Sequence, residues 1–217
     1  MPTQAKSRVV GITSAIVIAV LLVGGWSWYR AQSAVQKEQK YRQLMALSTL
    51  DPAVQAPNFK LTDQNGKTVS LSSLRGKVVI LEFMDPKCTD ICPVVSQEVR
   101  RANQLLGNQS SEVEFLAVNV NQYHESQKDI LGFSKEQGLN KLSNWHFLTG
   151  STPALQAVWK AYGIAVIPNR TGDVEHSSFM YFISKDGTEK YVANPDNAKA
   201  TIPEWSQGIS YVAQKLM

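Results

Sequence analysis

Residues 78–83 have the sequence VVILEF, and this nearly continuous apolar run restricts the possible folds of the chain more than any other feature. Such a run is typical of a strand that is buried on both faces of a sheet. Apolar residues then recur at helical spacing as far as Gly107. A second strand of the same type, EVEFLAVNVN, follows at 112–121. Two buried strands separated by a helix predict an α/β domain whose central sheet is covered by helices.

The flanking segments extend this pattern in both directions. Upstream, alternating apolar residues surround Asn65-Gly66, the dipeptide of a tight hairpin turn, so we expect a hairpin ahead of the central strand. Downstream we predict a helix at 126–138, a strand at 145–148, a helix at 152–162, a hairpin at 177–193 and a helix from 203 to the end. This order predicts a thioredoxin-like fold with an N-terminal hairpin extension, which we assign to residues 55–217.

The N-terminal region contains 21 uncharged residues, 9–29, between Arg8 and Arg30. At ~1.5 Å rise per residue, a helix of this length spans the ~30 Å hydrocarbon core of a membrane. The alternative, a cleaved signal peptide, has an apolar region of only about 7–15 residues. We therefore predict a single transmembrane helix, preceded by a cytoplasmic tail at 1–8 and followed by a stalk or linker at 30–54.

The distribution of charge limits the possible partners. The formal net charge is +4, and the excess lies in the first 42 residues, which hold six basic side chains and one acidic side chain. The remaining residues are nearly neutral, which excludes a basic nucleic-acid-binding domain. The basic side chains instead flank the predicted anchor, so the partner there is the membrane. Because a paired-cysteine domain suits an oxidising compartment, we place the soluble domain on the extracytoplasmic side.

The only two cysteines, Cys88 and Cys92, follow the first buried strand and stand at the start of the predicted helix. The partial positive charge of a helix N-terminus lowers the pKa of a nearby thiol. Three intervening residues place the two sulfurs about one helical turn apart, so the pair can form a disulfide or bind one metal ion. We predict a redox-active pair rather than two inert buried cysteines.

The chain has three histidines, and they differ in their expected roles. We predict no role for His124, and we expect His146, within an apolar run, to be a core or surface residue. His176 directly precedes the last predicted hairpin, at the position where a thioredoxin-like chain packs against its cysteine pair. Together with Cys88 and Cys92 it makes a soft donor set that suits Cu(I) and can also hold Cu(II). We predict these three residues as metal ligands.

Three motifs carry a resemblance to a known family: CTDICP, WHFLTGSTPALQAVWKAYGI and DVEHSSFMYFISKDG. In this order and at these separations, residues 55–215 resemble the Sco/SenC family. The resemblance implies copper binding by Cys88, Cys92 and His176. It also implies a role in assembling the binuclear copper centre of cytochrome c oxidase, through copper delivery, thiol reduction of the apo-site, or both. The implied partner is the copper-accepting oxidase subunit, while the copper donor and the thiol reductant stay unidentified.

Three alternatives remain open beside a copper chaperone. The first is a copper-independent, membrane-tethered thiol–disulfide oxidoreductase in which Cys88 attacks and Cys92 resolves; such enzymes usually have tryptophan where this chain has Lys87. The second is a peroxiredoxin-like peroxidase, but the spacing from Pro86 to Thr89 is one residue too short for the peroxidase motif. The third is a scaffold with a structural disulfide. A copper chaperone is favoured over an enzyme, and a thiol–disulfide oxidoreductase activity is compatible with the same cysteine pair.

Overall fold

The computed structural model describes residues 3–194 and 200–217, with side chains from residue 20 onward. The chain divides into two compact units, Met1–Tyr41 and Arg42–Met217. The first unit holds most of helix α1 (Thr3–Leu44). In the part of the chain that the structure describes, no helix is both long enough and apolar enough to span a membrane. The side chains of 9–19, half of the predicted anchor, lie outside the described part.

The second unit is an α/β domain, as the sequence predicts. Its strands are β1 (Ser48–Gln55), β2 (Lys60–Asp63), β3 (Thr68–Ser70), β4 (Val78–Met84), β5 (Val113–Asn119), β6 (Trp145–Thr149), β7 (Val166–Ile167), β8 (Glu175–His176), β9 (Met180–Ile183) and β10 (Thr188–Ala193). Its helices are α2 (Ile91–Leu106), α3 (Gln127–Glu136), α4 (Thr152–Ala161) and α5 (Ile202–Leu216).

Within the described residues, eight of these strands form one sheet in the order β1-β10-β9-β4-β5-β6-β2-β3. The central strands β4, β5 and β6 run parallel, and the outer strands are antiparallel to their neighbours. The register of β4 and β5 runs from Val78 opposite Val113 to Met84 opposite Asn119. Both strands therefore end at the same edge of the sheet, and the loops that follow them meet there.

The core lies on both faces of the central strands because every residue of β4 is buried. On one face, Leu81 and Leu116 pack in the same apolar cluster as Leu155 and Trp159 of α4. On the other face α2 packs against α5. The Trp159 indole N–H donates to the Asn119 carbonyl at 2.9 Å, which ties α4 to the end of β5. The sheet edge that carries the cysteines is therefore supported by helices from both sides.

The predicted helices and strands of this unit are present, with boundaries shifted by a few residues. In the hairpin β2–β3, Gly66 adopts a φ of 80°, the left-handed conformation that a tight turn requires and that glycine accepts without strain. Helix α2 ends before Gly107, and α3 begins after Ser126, whose hydroxyl accepts from the Asp129 amide. Each of these boundaries is set by a local signal that the sequence contains.

Two elements were not predicted from the sequence. Strand β1 lies in the segment expected to be a stalk or linker, and it pairs with β10 as an edge strand. The short ribbon β7–β8, which holds His176 opposite Val166, lies in a segment expected to be a loop. Proline at position 52 favours extended backbone and is tolerated at a sheet edge. The extended geometry was therefore predictable, but the long-range pairing was not.

Candidate metal centre

The two cysteines lie at the start of α2, just beyond the carboxyl end of β4. Cys88 is half-buried in the loop, and Cys92 is 2% exposed in the first turn of the helix. The backbone N–H of Cys92 donates to Cys88 Sγ at 3.3 Å. Both are free thiols in this structure. Both cysteines therefore lie at the N-terminus of α2, where the sequence places them.

The two thiols differ in acidity. A hydrogen bond from the Cys92 side chain, supported by the Cys92 backbone N–H, stabilises the Cys88 thiolate and lowers the pKa of Cys88 below its usual value. The same hydrogen bond, together with burial, raises the pKa of Cys92. Cys88 is therefore the more acidic and the more accessible of the two thiols.

Asp90 caps helix α2 and borders Cys88. Its carboxylate accepts a hydrogen bond from the Ile91 backbone N–H. The same carboxylate lies 3.0 Å from Cys88 Sγ and accepts a hydrogen bond from the Cys88 thiol when that thiol is protonated. The hydrogen bond with Cys88 lowers the pKa of Asp90, and the nearby His176 contributes in the same direction. Asp90 therefore places a negative charge next to Cys88 and close enough to His176 to interact with it.

Asp85 connects three segments at the end of the sheet. This fully buried carboxylate accepts from the Lys87 backbone N–H at 2.8 Å and from the Asn121 side-chain amide at 3.0 Å. Its second oxygen lies 3.4 Å from the backbone nitrogen of Val174, two residues before His176. The Asp85 carbonyl also accepts from the backbone N–H of Cys88 at 3.2 Å. One side chain thus holds together the cysteine loop, the loop after β5 and the strand that carries the histidine.

His176 lies in β8 and is half-buried. Its Nδ1 atom is 3.1 Å from the Ser177 carbonyl, and the side chain borders a narrow cavity that Cys92 and Val95 of α2 also line. The cavity holds about 20 Å³, close to the space that one water molecule or ion occupies. The structure therefore brings His176 next to Cys92, as the sequence predicts for a residue that packs against the cysteine pair.

The three predicted ligands do not form a closed cluster. Among the residues that the structure describes, no group of three or more His, Cys, Asp or Glu side chains is arranged to hold a metal ion. Cys88 and Cys92 are in contact, and His176 lines the narrow cavity together with Cys92 but not with Cys88. In chemistry, two thiols and an imidazole form a donor set for a soft metal, so the residues present fit copper.

A family model described as SCO1/SenC matches residues 48–207, well over half of the chain. The chain belongs to the SCO1/SenC family. The "SCO1 protein homolog" of Bacillus subtilis (strain 168) is 28% identical over 132 residues, which cover 59% of this chain and 68% of that protein. The "Thiol-disulfide oxidoreductase ResA" of the same organism is 32% identical over 135 residues, covering 62% of this chain and 66% of that protein.

The fold is shared with solved structures of the family. A structure of Bradyrhizobium japonicum ScoI "with copper bound" superposes with a TM-score of 0.62 at 22% identity, covering 76% of this chain and all of the other. The α/β domain of this family member is thus the thioredoxin-like Sco fold that the sequence predicts.

Two buried carboxyl groups stand behind the cysteine pair of this SCO1/SenC domain. Glu82 of β4 lines the same cavity as Cys92 and His176. Burial, reinforced by the nearby Glu98, raises the pKa of Glu82 well above its usual value. Burial also raises the pKa of Glu98 to about 8. Burial therefore favours the protonated form of both groups, which is why an apolar strand accommodates a glutamate.

The sequence analysis did not identify Asp85, Asn121 or Glu82 as part of the site. Asp85 and Asn121 directly follow β4 and β5, and polar residues at the carboxyl ends of adjacent parallel strands are a signal for such a site. Glu82 offered a second signal, a single acidic residue within a buried strand.

The other two histidines lie away from the cysteine pair. His124 Nδ1 is 3.7 Å from the Asp129 carboxylate. His146 is half-buried between two acidic side chains, at 3.1 Å from Asp63 and 3.3 Å from Glu114. Burial by itself lowers the pKa of His146, but the hydrogen bonds with Glu114 and Asp63 outweigh it and raise the pKa. His146 therefore joins β2, β5 and β6 as a structural ion bridge.

Proposed function

We propose that this chain is a membrane-anchored, copper-binding SCO1/SenC protein that serves assembly of the binuclear copper centre of cytochrome c oxidase. The observation that carries the proposal is the free thiol pair Cys88–Cys92 at the start of α2, with His176 across a cavity the size of one ion. Membership of the family and the copper-bound relative support the choice of metal.

In this proposal Cys88, Cys92 and His176 bind copper as cargo. The Cys88 thiolate is available first, because its pKa is lowered. Cys92 must release its proton to become a ligand, and its raised pKa makes binding weaken as the pH falls. Asp85 holds the cysteine loop and the strand of His176 together, so the donors approach a common centre without a large rearrangement.

The predicted transmembrane helix at 9–29 places this site near a membrane-embedded acceptor on the extracytoplasmic side. Its support is the uncharged length of the segment and the basic residues on both flanks. Fractionation of cells that produce the full chain, with alkaline carbonate extraction of the membranes, tests the anchor. Release of the protein by carbonate would contradict it.

Delivery of copper and reduction of the acceptor both need the reduced pair, because a disulfide binds no metal and a copper-loaded pair donates no electrons. The test uses the copper-accepting soluble domain of the oxidase subunit in two states. Copper-loaded protein is mixed with the reduced acceptor and copper transfer is measured, while copper-free dithiol protein is mixed with the disulfide form and new acceptor thiols are counted. Failure in both reactions would contradict the proposed function.

A second candidate is a thiol–disulfide oxidoreductase that does not use copper. It is favoured by the absence of a closed three-residue cluster in the described part of the chain and by the pronounced asymmetry between the two thiols. The similarity to ResA supports it further. Reduction of the acceptor disulfide at equal rates by wild-type protein and His176→Ala, without copper retention by either, would establish this candidate.

A further inference from the structure

A cavity larger than the one that His176 borders opens beside Cys88. It has a volume of about 480 Å³ and lies between the cysteine loop and α3. Cys88 and Pro93 line one wall, and Gly132 and Phe133 of α3 line the other. Neither Cys92 nor His176 borders it. The more acidic sulfur of the pair therefore faces a cleft within the range of about 300–1,000 Å³ that suits a bound ligand.

The charges on this cleft balance one another. Lys87 of the cysteine loop forms an ion pair with Asp129 of α3 at 2.8 Å. Lys128 and Glu136, both exposed, add one charge of each sign to the lining. The lining therefore attracts no strongly charged ligand, and an anionic small thiol gains nothing from it. A neutral peptide backbone, with donors and acceptors in equal number, matches such a surface.

Gly132 leaves the wall of the cleft open. It lies inside helix α3, where glycine costs about 1 kcal/mol relative to alanine. A Cβ atom at this position would have no heavy atom within 4 Å, so packing against the rest of the domain does not require glycine. The missing side chain instead exposes a strip of helix backbone next to Phe133, which an extended chain can approach closely.

We propose that this cleft, defined by Cys88, Pro93, Gly132, Phe133 and the four charged residues, binds a neutral peptide segment of the partner that carries a cysteine. The inference rests on the proposed function and names the surface through which the acceptor reaches the pair. An occupant that ends at the Cys88 sulfur must present a sulfur of its own, either to take the metal or to exchange a disulfide.

The exchange reaction needs only the two cysteines of this chain and the disulfide of the partner. The Cys88 thiolate attacks one sulfur of the partner's disulfide, forms a mixed disulfide and releases the second partner sulfur as a thiolate. Cys92 then loses its proton to solvent and attacks Cys88, which closes the Cys88–Cys92 disulfide and releases the first partner sulfur. Two electrons pass from the cysteine pair to the partner, and no further oxidant or reductant is needed.

The test blocks the cleft without touching the cysteines. Gly132→Trp fills the open wall, and Lys135→Trp adds the same side chain on α3 at an exposed position outside the cleft. The copper-free, reduced full chain is mixed either with a short neutral peptide closed by its own disulfide or with bis(2-hydroxyethyl) disulfide. We expect Gly132→Trp to reduce the peptide about tenfold or more slowly than wild type, because docking positions the reacting sulfurs.

The reaction with bis(2-hydroxyethyl) disulfide shows whether the cysteine pair of each variant is still reactive. With it, both tryptophan variants should react within about twofold of wild type, because the small reagent reaches Cys88 without docking. Equal peptide rates for Gly132→Trp and wild type would overturn the inference, and so would an equal slowing with both disulfides or by Lys135→Trp. Faster reaction of wild type with oxidised glutathione than with the peptide would show a small-thiol site instead and would also overturn it. Copper retention is measured separately and tests the proposed function independently of these reaction rates.

Discussion

Replacing Asp85 by alanine removes the side chain that joins the cysteine loop to the rest of the site. Asp85 is fully buried, and its carboxylate accepts two hydrogen bonds of 2.8 and 3.0 Å, from Lys87 N–H and the Asn121 amide. A third donor, Val174 N–H, lies at 3.4 Å. The substitution therefore leaves these donors without an acceptor inside the domain.

The expected loss of stability follows from the two shorter bonds. Hydrogen bonds to a charged group contribute about 1.5–3 kcal/mol each, so the two together give a loss of about 3–6 kcal/mol. With a urea dependence of about 2 kcal/mol per molar, the unfolding midpoint should fall by roughly 1.5–3 M. This is a large part of the ~5–15 kcal/mol that stabilises a typical domain, so Asp85→Asn, which keeps an acceptor oxygen, should be measured in parallel and should lose less.

Asp63 provides the matched control. It is also fully buried, and its Oδ1 atom accepts two backbone N–H groups, from Asn65 at 2.8 Å and Lys67 at 2.9 Å, in the β2–β3 turn. Because Asp63 also pairs with His146 at 3.1 Å, Asp63→Ala should destabilise the domain at least as much but leave the rate of Cys88 alkylation unchanged. Asp85→Ala should both destabilise the domain and change that rate, since the loop that positions Cys88 is released.

Urea unfolding followed by tryptophan fluorescence measures the stability, and alkylation kinetics followed by mass spectrometry measure the state of Cys88. The reasoning is refuted if Asp85→Ala unfolds at the same urea concentration as wild type. It is refuted equally if both alanine variants alkylate Cys88 at the wild-type rate.

Two further predictions concern protonation. Because the pKa of His146 is raised in the folded state, the bridge to Asp63 and Glu114 stabilises the domain fully below the unfolded-state pKa of about 6.5 and is lost as the pH rises through the folded-state value. The free energy of unfolding of wild type should exceed that of His146→Gln by roughly 1–3 kcal/mol at low pH, and this difference should shrink as the pH rises. A difference in urea unfolding that stays constant with pH would contradict this. At neutral pH, iodoacetamide should label Cys88 of the native protein at least about tenfold faster than Cys92, and it should label both cysteines in urea. Equal labelling rates in the native protein, measured by peptide mapping, would show that the two thiols do not differ in reactivity.

Much of the fold could be predicted because its signals are local. Apolar runs mark β4 and β5, and Asn65-Gly66, Gly107 and Gly138 mark the ends of elements. Strand β1 was missed because its pairing with β10 depends on residues far along the chain. Glu82 did not disturb the strand prediction, since burial favours the neutral form of its carboxyl group.

The candidate ligands of the site could be predicted from the sequence, but the residue that holds their loops together could not. Cys88, Cys92 and His176 stand out because they are rare residue types at positions that the fold brings to one sheet edge. The structure does not test their role as ligands, which stays a prediction. Asp85 makes its contacts across a sequence distance of up to 89 residues, to Val174, and no local pattern shows such contacts.

Copper retention by the full chain tests whether Cys88, Cys92 and His176 together bind the metal. Reduced wild-type protein is offered Cu(I) or Cu(II) against a competing chelator, next to Cys88→Ser, Cys92→Ser and His176→Ala, with His124→Ala as the matched histidine control. We predict one copper ion per wild-type chain, loss of Cu(I) in either serine variant, a strong loss of Cu(II) in His176→Ala, and wild-type retention in His124→Ala. Equal retention by wild type and His176→Ala, or no retention by wild type, would contradict the account.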